Sequence, residues 1–259
     1  MSTYSDSEKQ PMQKIIIDNL SKNYSADAGK LDAALDTTNL AILDGEFFCI
    51  LGPSGCGKST LLNILAGFVQ PTSGSVSIDG MPHTHPDPRF VMMDQEFGLF
   101  PWLTVLENVK FGLEIKHADK REQDRIAHQF IDLVHLHGFE DRHPFELSGG
   151  MKQRVALART LSVNPEIIFM DEPFNALDMV MRIGLQDEII RLWTEHDKTI
   201  VFVTHDIEES IYLADRIAIM KNSPGRIEKV IKVELDRPRS RDSDSFYKLK
   251  NKILREITL

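Results

Sequence analysis

The sequence predicts an α/β protein: a mainly parallel sheet covered by helices, with an antiparallel β subdomain and an inserted helical subdomain. Three apolar runs of strand length alternate with stretches of helical periodicity, as in parallel sheets: Glu166–Met170, Thr199–Val203 and Arg216–Met220. A glycine-rich loop, residues 52–60, follows the apolar run Phe47–Leu51, which predicts a strand, and precedes the helix-like run Leu61–Leu65. Short strands bracketed by turn residues near the N-terminus predict the antiparallel part.

Composition indicates a soluble intracellular protein with a sizeable core. The 259 residues are 42% hydrophobic, enough for one large domain or two small ones. The net charge is −9, and the basic residues are interspersed among the acids, which argues against nucleic-acid binding through a basic surface. No apolar run approaches the ~20 residues that span a bilayer, and the polar stretch Met1–Gln10 lacks a signal-peptide core. Cys49 and Cys56 are not expected to form a disulfide, which fits a reducing cytosol.

The N-terminal part is predicted to hold the antiparallel strands. Residues 1–12 are polar and are expected to form a disordered tail. Asp44-Gly45 predicts a turn before the strand that leads into the glycine loop. Apolar patterns before and after that loop predict three further strands: Lys14–Leu20, Asp36–Ile42 and Ser75–Ile78.

The glycine loop fits the phosphate-binding P-loop pattern G-x-x-x-x-G-K-[ST]. Its glycines let successive backbone N–H groups turn inward, and the following helix adds the positive end of its dipole. Lys58 is expected to reach the β- and γ-phosphates, and the Ser59 hydroxyl to ligate Mg²⁺. A chance glycine turn is the alternative, which the flanking strand and helix disfavour. The predicted binding residues are Gly52, Pro53, Ser54, Gly55, Cys56, Gly57, Lys58, Ser59 and Thr60.

The middle of the chain is predicted to be mostly helical. Arg89–Met93 forms a short strand, and the pattern is helical from Leu103 to about His137. Ser148 is placed as the N-cap of another helix. His83 and His85 lie in a proline-rich stretch without a third ligand at a supporting spacing, so a solvated loop is favoured over a metal site.

Strands and helices continue to alternate towards the C-terminus. The buried strand that ends at Met170 is followed directly by Asp171-Glu172-Pro173. Later elements are predicted as two helices and a last strand: Leu177–His196, Asp206–Ala214 and Arg226–Val233. Beyond Ser243, four apolar residues share one helical face and predict a docked helix: Phe246, Leu249, Ile253 and Ile257.

Further motifs stand in a fixed order around the P-loop: Tyr24, Gln95, Leu147–Arg154, Ile167–Pro173, Asn175–Asp178 and Thr204–Asp206. Together they resemble the nucleotide-binding subunit of an ATP-binding cassette (ABC) transporter, over roughly Lys14 to Asp236. The resemblance implies a P-loop NTPase core that binds ATP with Mg²⁺ and hydrolyses it. It also implies an ATPase domain at 13–236, with the helical subdomain at about 97–163, and a C-terminal helical extension at 237–259.

Two carboxylates follow the buried strand, where α/β proteins place their ligands. Asp171 is expected to hold the Mg²⁺ shell together with the P-loop hydroxyl and Gln95, and Glu172 to act as the general base on a water in line with the γ-phosphate. By the resemblance, Gln95 and His205 help to hold that water, and Tyr24 stacks on adenine. The alternatives are solvated acids before a proline turn, ordinary polar loop residues and a half-buried surface tyrosine.

A second glycine-rich helix start provides another anion site at Ser148, Gly149 and Gly150. One cassette cannot easily use two such sites on one γ-phosphate. In the resembling family this second site faces the nucleotide held by another copy, so that two subunits enclose two ATP molecules. Asp178 is expected along that seam. Met151 stands where the common signature has Gln, which removes an amide but leaves the serine and the glycine N–H groups.

Aromatic and apolar residues follow Gln95 closely and indicate either subdomain core or a docking groove. Val105 and Val109 are expected in the core. Phe97, Leu99 and Phe100 are expected near a groove for a short helix of a membrane partner.

The stretch Glu96–Val109, together with Leu185–Glu188 and Ser223–Ile227, resembles importers of the nitrate, sulfonate and taurine type, a group that includes bicarbonate systems. The resemblance implies a second ATPase subunit, two membrane permease subunits and, indirectly, an extracytoplasmic solute-binding protein. It places the chain at the cytoplasmic face of the cell membrane, without a nucleic-acid partner. The alternatives are a soluble ABC ATPase acting on nucleic acid or ribosomes, and a P-loop kinase or GTPase that does not account for Leu147–Gly150 or His205.

Overall fold

A computed structural model describes residues 12–25, 31–116, 119–196, 198–221 and 224–258. The strands in this part of the chain are β1 Gln13–Ser25, β2 Leu31–Leu43, β3 Phe47–Leu51, β4 Ser73–Ile78, β5 Met81–Pro82, β6 Phe90–Met93, β7 Ile167–Asp171, β8 Thr199–Thr204, β9 Arg216–Lys221 and β10 Arg226–Lys232. The helices are α1 Lys58–Leu65, α2 Val105–Ile115, α3 Lys120–Leu133, α4 Gly149–Ser162, α5 Met179–His196, α6 Ile207–Leu213 and α7 Asp244–Thr258, with a 3₁₀ turn at Pro144–Glu146.

The central sheet has the strand order β10-β9-β3-β8-β7-β6, and only the β10–β9 pair in it is antiparallel. The predicted parallel sheet is therefore confirmed. Every residue of β3 is buried, because alternate side chains enter apolar clusters on opposite faces of the sheet. Leu51 pairs with Thr204, and Asp171 pairs with Val203. This register brings the carboxyl ends of β3, β7 and β8 to one edge of the sheet, where the P-loop and the motif carboxylates follow.

A second sheet, in the order β2-β1-β4-β5, is antiparallel throughout, as predicted. Its apolar residues join α1 in the cluster on one face of the central sheet. β1 and β2 are longer than the predicted Lys14–Leu20 and Asp36–Ile42. Pairing between the two strands extends over polar residues such as Asn23 and Asp32, which carry no apolar signal.

The stretch predicted as helical from Leu103 to His137 consists of two helices, α2 and α3. Thr104 and Glu107 form a capping box that begins α2, with Glu107 N–H donating to Thr104 Oγ1 at 3.2 Å and Thr104 N–H to Glu107 Oε2 at 2.8 Å. The Asp119 side chain caps α3. These two helices pack against α4, and Val105 and Val109 lie in their core, as predicted.

The C-terminal helix α7 packs against α6 and β9. Its predicted inner face is confirmed, since Phe246 and Ile253 are buried and Leu249 and Ile257 pack on the same cluster. Most of the predicted tail, 1–12, lies outside the described residues, and the proposed domain boundaries remain predictions. In the described ranges, no helix has the length and apolar character needed to cross a membrane.

Candidate functional site

The P-loop connects β3 to α1 at the carboxyl edge of the central sheet. Gly57 precedes the helix with φ of 90°, a left-handed backbone conformation that residues other than glycine rarely adopt. A Cβ at this position would lie 2.8 Å from Ala34 O of β2, so the loop also packs closely on the antiparallel sheet. The turn directs the first N–H groups of α1 towards the concave side of the loop, where an anion is favoured.

Lys58 is the charged group at the base of this loop. It is buried, and its Nζ donates hydrogen bonds to Gly52 O at 2.8 Å and Pro53 O at 2.9 Å. The same Nζ lies 3.9 Å from Glu172 Oε1. Because carbonyl oxygens and a carboxylate hold the ammonium at the loop, its charge is placed where phosphate oxygens would be bound.

A cavity of about 610 Å³ opens over the loop, a volume suited to a small ligand. It brings together the predicted residues Tyr24, Gln95 and Glu172 with the P-loop. The sequence prediction missed the contributions of β2 and of the turn before β10. Residues lining the cavity are Tyr24, Asp32, Ala33, Ala34, Ser54, Gly55, Gly57, Lys58, Ser59, Thr60, Gln95, Glu172 and Gly225.

Three predicted P-loop residues are placed differently from the rest. Gly52, Pro53 and Cys56 belong to the loop without lining the cavity. The Cys56 side chain is buried in the apolar cluster beneath the antiparallel sheet, and burial raises the pKa of its thiol. Any contribution of Cys56 to phosphate binding would therefore come from its backbone.

Asp171 ends β7 beneath the loop and is buried. Burial raises the pKa of its carboxyl group, while a hydrogen bond from Ser59 opposes that shift. Among the described residues, Asp171 Oδ1 has no hydrogen-bond partner. A buried carboxylate oxygen without a partner, next to a hydroxyl, provides the oxygen ligands that Mg²⁺ prefers, so these residues fit the predicted metal.

Glu172 follows with φ of 49°, a left-handed conformation that bends the chain sharply after β7. Its side chain is mostly buried, and Oε1 lies 3.3 Å from His205 Nδ1. Asn175 donates a hydrogen bond to Oε2, and Gln153 Nε2 donates to the backbone oxygen of Glu172 at 3.3 Å. The carboxylate is thus fixed beside Lys58 at the cavity wall, which is the arrangement needed to orient and deprotonate a water molecule.

Sequence reasoning assigned no role to Gln153 and Asn175, although both lie inside the quoted motifs. Gln153 Oε1 also accepts a hydrogen bond from Ala176 N–H at 2.9 Å. This one amide therefore connects α4 to both ends of the Glu172–Ala176 loop. Its position within the Leu147–Arg154 motif was the available signal, but a spacing does not reveal which backbone groups an amide bonds.

Ser148 and Asp178 lie at a second concavity of about 330 Å³, separate from the cavity over the P-loop. Ser148 caps α4, accepting a hydrogen bond from Met151 N–H at 3.3 Å, and Gly149 is exposed at the start of that helix. Asp178 caps α5 in the same way, with Met181 N–H donating to its Oδ1 at 3.0 Å. The concavity is lined by Ser148, Gly150, Met151, Arg154, Ala176, Leu177, Asp178 and Met181.

Within one chain, the predicted residues thus form two groups. The first group surrounds the P-loop with Glu172 and His205, and the second surrounds the start of α4. The second group is exposed to solvent and does not line the cavity over the P-loop, so it can contact an anion or another molecule.

Residues 35–175 match the ABC transporter family. An uncharacterized ABC transporter ATP-binding protein of Methanocaldococcus jannaschii is 47% identical over 93% of this chain and 90% of its own length. The bicarbonate transport ATP-binding protein CmpD of Synechocystis is 40% identical, covering 97% of this chain and 91% of its own. The aliphatic sulfonates import ATP-binding protein SsuB of Bacillus cereus is 43% identical, covering 94% and 95%.

A solved dimer of an ATP-binding cassette, in a post-hydrolysis state bound to ADP and Pi, has a similar fold. Its TM-score is 0.78 at 35% identity, with 86% of this chain and 100% of that chain covered. These three relatives cover 93–97% of this chain, and the family match includes the P-loop and the carboxylates after β7. The chain therefore belongs to the ABC transporter family and is an ATP-binding ATPase.

Proposed function

We propose that this chain is the ATPase subunit of an importer for a small anion, acting as a dimer on a membrane permease at the cytoplasmic face of the cell membrane. One observation carries the dimeric part of the proposal: the cavity over the P-loop and the concavity at Ser148 are separate on a single chain. A second copy that places its Ser148 surface over the first copy's P-loop completes each site.

Around the nucleotide, the P-loop N–H groups and Lys58 bind the phosphates, and Tyr24 stacks on the adenine. Glu172 accepts a proton from the attacking water, whose position is held by His205 at 3.3 Å from the carboxylate and by Gln95. Lys58, 3.9 Å from Glu172, keeps positive charge next to the reacting phosphoryl group.

Ser59, Asp171 and Gln95 are proposed to hold Mg²⁺, because the buried Asp171 Oδ1 has no other partner among the described residues. When bound, the ion neutralises charge on the β- and γ-phosphate oxygens. Replacing Asp171 by Asn would keep the size of the side chain and remove the negative charge. The magnesium concentration that half-activates hydrolysis should then rise.

The anion class rests on relatives whose names specify bicarbonate and aliphatic sulfonates. Both of those solutes are small anions, although the solute itself would contact the permease and not this chain. The aromatic segment after Gln95 is proposed as the permease-docking groove, with Phe97 and Leu99 half-buried on the core of the helical subdomain. Co-purification with a permease tests this part, and isolation with ribosomes or nucleic acid instead would contradict it.

Mixing two inactive variants tests the shared site. Ser148→Arg blocks the α4 surface, and Lys58→Ala removes the phosphate-binding charge. In a mixed dimer one site would combine the intact P-loop of the first variant with the intact Ser148 surface of the second. Random mixing should then restore up to roughly a quarter of the wild-type rate, since half the dimers are mixed and each has one intact site. A rate equal to the sum of the separate variants would reject sharing between subunits.

A further inference from the structure

Arg182 on α5 contacts two segments: the turn at Leu177 and Asp178, and the start of α6 just after His205. Its backbone N–H donates to Asp178 O at 2.9 Å, and its Nη2 donates to Leu177 O at 3.3 Å. On its other side, Nη1 lies 3.7 Å from Asp206 Oδ2 and Nε lies 3.7 Å from Glu209 Oε1. One side chain therefore spans the distance from the partner-facing turn to the first turn of α6.

Glu209 is the buried acid at the centre of this contact. Thr204 Oγ1 donates to its Oε2 at 2.7 Å, and Gln186 Nε2 donates to its Oε1 at 3.3 Å. Thr204 Oγ1 also accepts from Asp206 N–H at 3.0 Å. The residues immediately before and after His205 are thus held through one hydroxyl group, which is itself fixed by Glu209.

The contact between Arg182 and Glu209 is incomplete in this structure. Arg182 Nε is buried and has no hydrogen-bond acceptor among the described residues, while Glu209 Oε1 is 3.7 Å away. A charge-assisted hydrogen bond requires a separation of about 2.8 Å. A relative movement of somewhat less than 1 Å between α5 and α6 would therefore form it, and a buried donor without a partner favours that movement.

We propose that Arg182 and Glu209 are positioning residues that couple the Asp178 turn to His205. This inference rests on the proposed function, in which a second subunit packs against the surface at Ser148 and Asp178. Packing there moves the start of α5 towards α6, and the hydrogen bond from Arg182 Nε to Glu209 forms. Thr204 and Asp206 are then held more firmly, which fixes the His205 side chain beside Glu172.

A double-mutant cycle on the full-length chain tests this coupling. Arg182→Met should lower kcat for ATP roughly tenfold or more, because a small displacement of His205 is enough to impair the reaction. KM should change little, since Arg182 does not line the nucleotide cavity. In a His205→Ala background, Arg182→Met should cause no further loss. Arg191→Met is the matched control on the same helix, where the arginine pairs with Glu188 at 2.7 Å and Glu195 at 3.2 Å, and it should leave kcat unchanged.

Equal losses from Arg182→Met with and without His205 would overturn the coupling but leave the proposed function intact. No loss from His205→Ala alone would instead reject the proposed role of His205, and the coupling with it. If Arg182→Met does not fold, as judged by circular dichroism, Glu209→Gln replaces it, since that variant keeps the size of the side chain and removes the charge.

Amide hydrogen exchange provides a readout that a purely stabilising ion pair would not change. In a Glu172→Gln chain, which is expected to stay dimeric with ATP, the peptide covering residues 204–209 should become more protected when ATP is added. That added protection should disappear when Arg182→Met is introduced, although dimer formation on a sizing column persists. Equal protection with and without Arg182 would overturn the proposal.

Discussion

Gly225 provides the most demanding test of how the nucleotide site is built. It lies before β10, and its backbone bonds β2, with Gly225 N–H donating to Ala34 O at 3.1 Å and Gly225 O accepting from Asp36 N–H at 2.9 Å. A Cβ at this position would lie 2.0 Å from Cys56 O of the P-loop and 2.7 Å from Met220 Cε. Replacing Gly225 by Ala therefore forces a methyl group into the back of the P-loop.

The size of the effect follows from the distance. Real Cβ contacts essentially never fall under 3.0 Å, so the Cys56 carbonyl would have to retreat by 3.0 − 2.0 = 1.0 Å. A backbone oxygen cannot move aside by changing rotamer, so the P-loop itself must shift. Misplacement of about 1 Å costs up to ~100-fold in rate, and overpacking costs about 1–3 kcal/mol of stability. We therefore expect the rate of ATP turnover to fall by a factor between ~10 and ~100.

The assay combines equilibrium ATP binding, hydrolysis rate and thermal unfolding of Gly225→Ala. Gly184→Ala is the matched control, since a Cβ there meets no atom within 4 Å in α5. The control should gain about 1 kcal/mol from helix propensity and keep wild-type turnover. If Gly225→Ala bound and hydrolysed ATP as the wild type does, the close packing of Gly225 on the P-loop would not matter for the site, and this reasoning would be refuted.

Three further outcomes are expected. Glu172→Gln should retain ATP binding but lower kcat by ~100-fold or more through loss of the general base, and it should trap a dimer on a sizing column; an unchanged rate would remove Glu172 from that role. Lys58→Ala should weaken ATP binding measured by equilibrium titration, and wild-type affinity would count against the phosphate-binding assignment. Burial raises the pKa of Glu46 from 4.5 to about 6, and its Oε1 has no hydrogen-bond partner among the described residues. The folded state binds the Glu46 proton more tightly than the unfolded state does, so protonation of Glu46 adds about 2 kcal/mol to the free energy of unfolding. This contribution is complete well below pH 4.5 and is lost as the pH rises through about 6. Urea unfolding of the wild type and Glu46→Gln at pH 4.5 and 7 measures this: the stability of the wild type relative to the variant should fall by about 1.5 kcal/mol, because the unfolded carboxyl is already half ionised at pH 4.5, and parallel pH profiles would contradict it.

Much of the fold could be predicted because its signals are local. The bounds of Phe47–Leu51 agree between the prediction and the structure, since a strand buried on both faces is a continuous apolar run. The helix at Ser148 could be predicted from its cap, and the inner face of α7 from its periodicity. The full lengths of β1 and β2 could not, because pairing with a neighbouring strand extends β-structure over residues with no apolar pattern.

By itself, the sequence determined the P-loop, the two carboxylates after β7 and the family to which the chain belongs. These features are contiguous motifs, whose chemistry depends on residue types at short spacing. The tertiary structure alone decided that Gly225 supports the P-loop, that Gln153 connects α4 to the Glu172 loop, and that Arg182 lies between the Asp178 and His205 turns. Such contacts join residues far apart in the chain, and they leave no trace in spacing or periodicity because they form only when separate elements pack together.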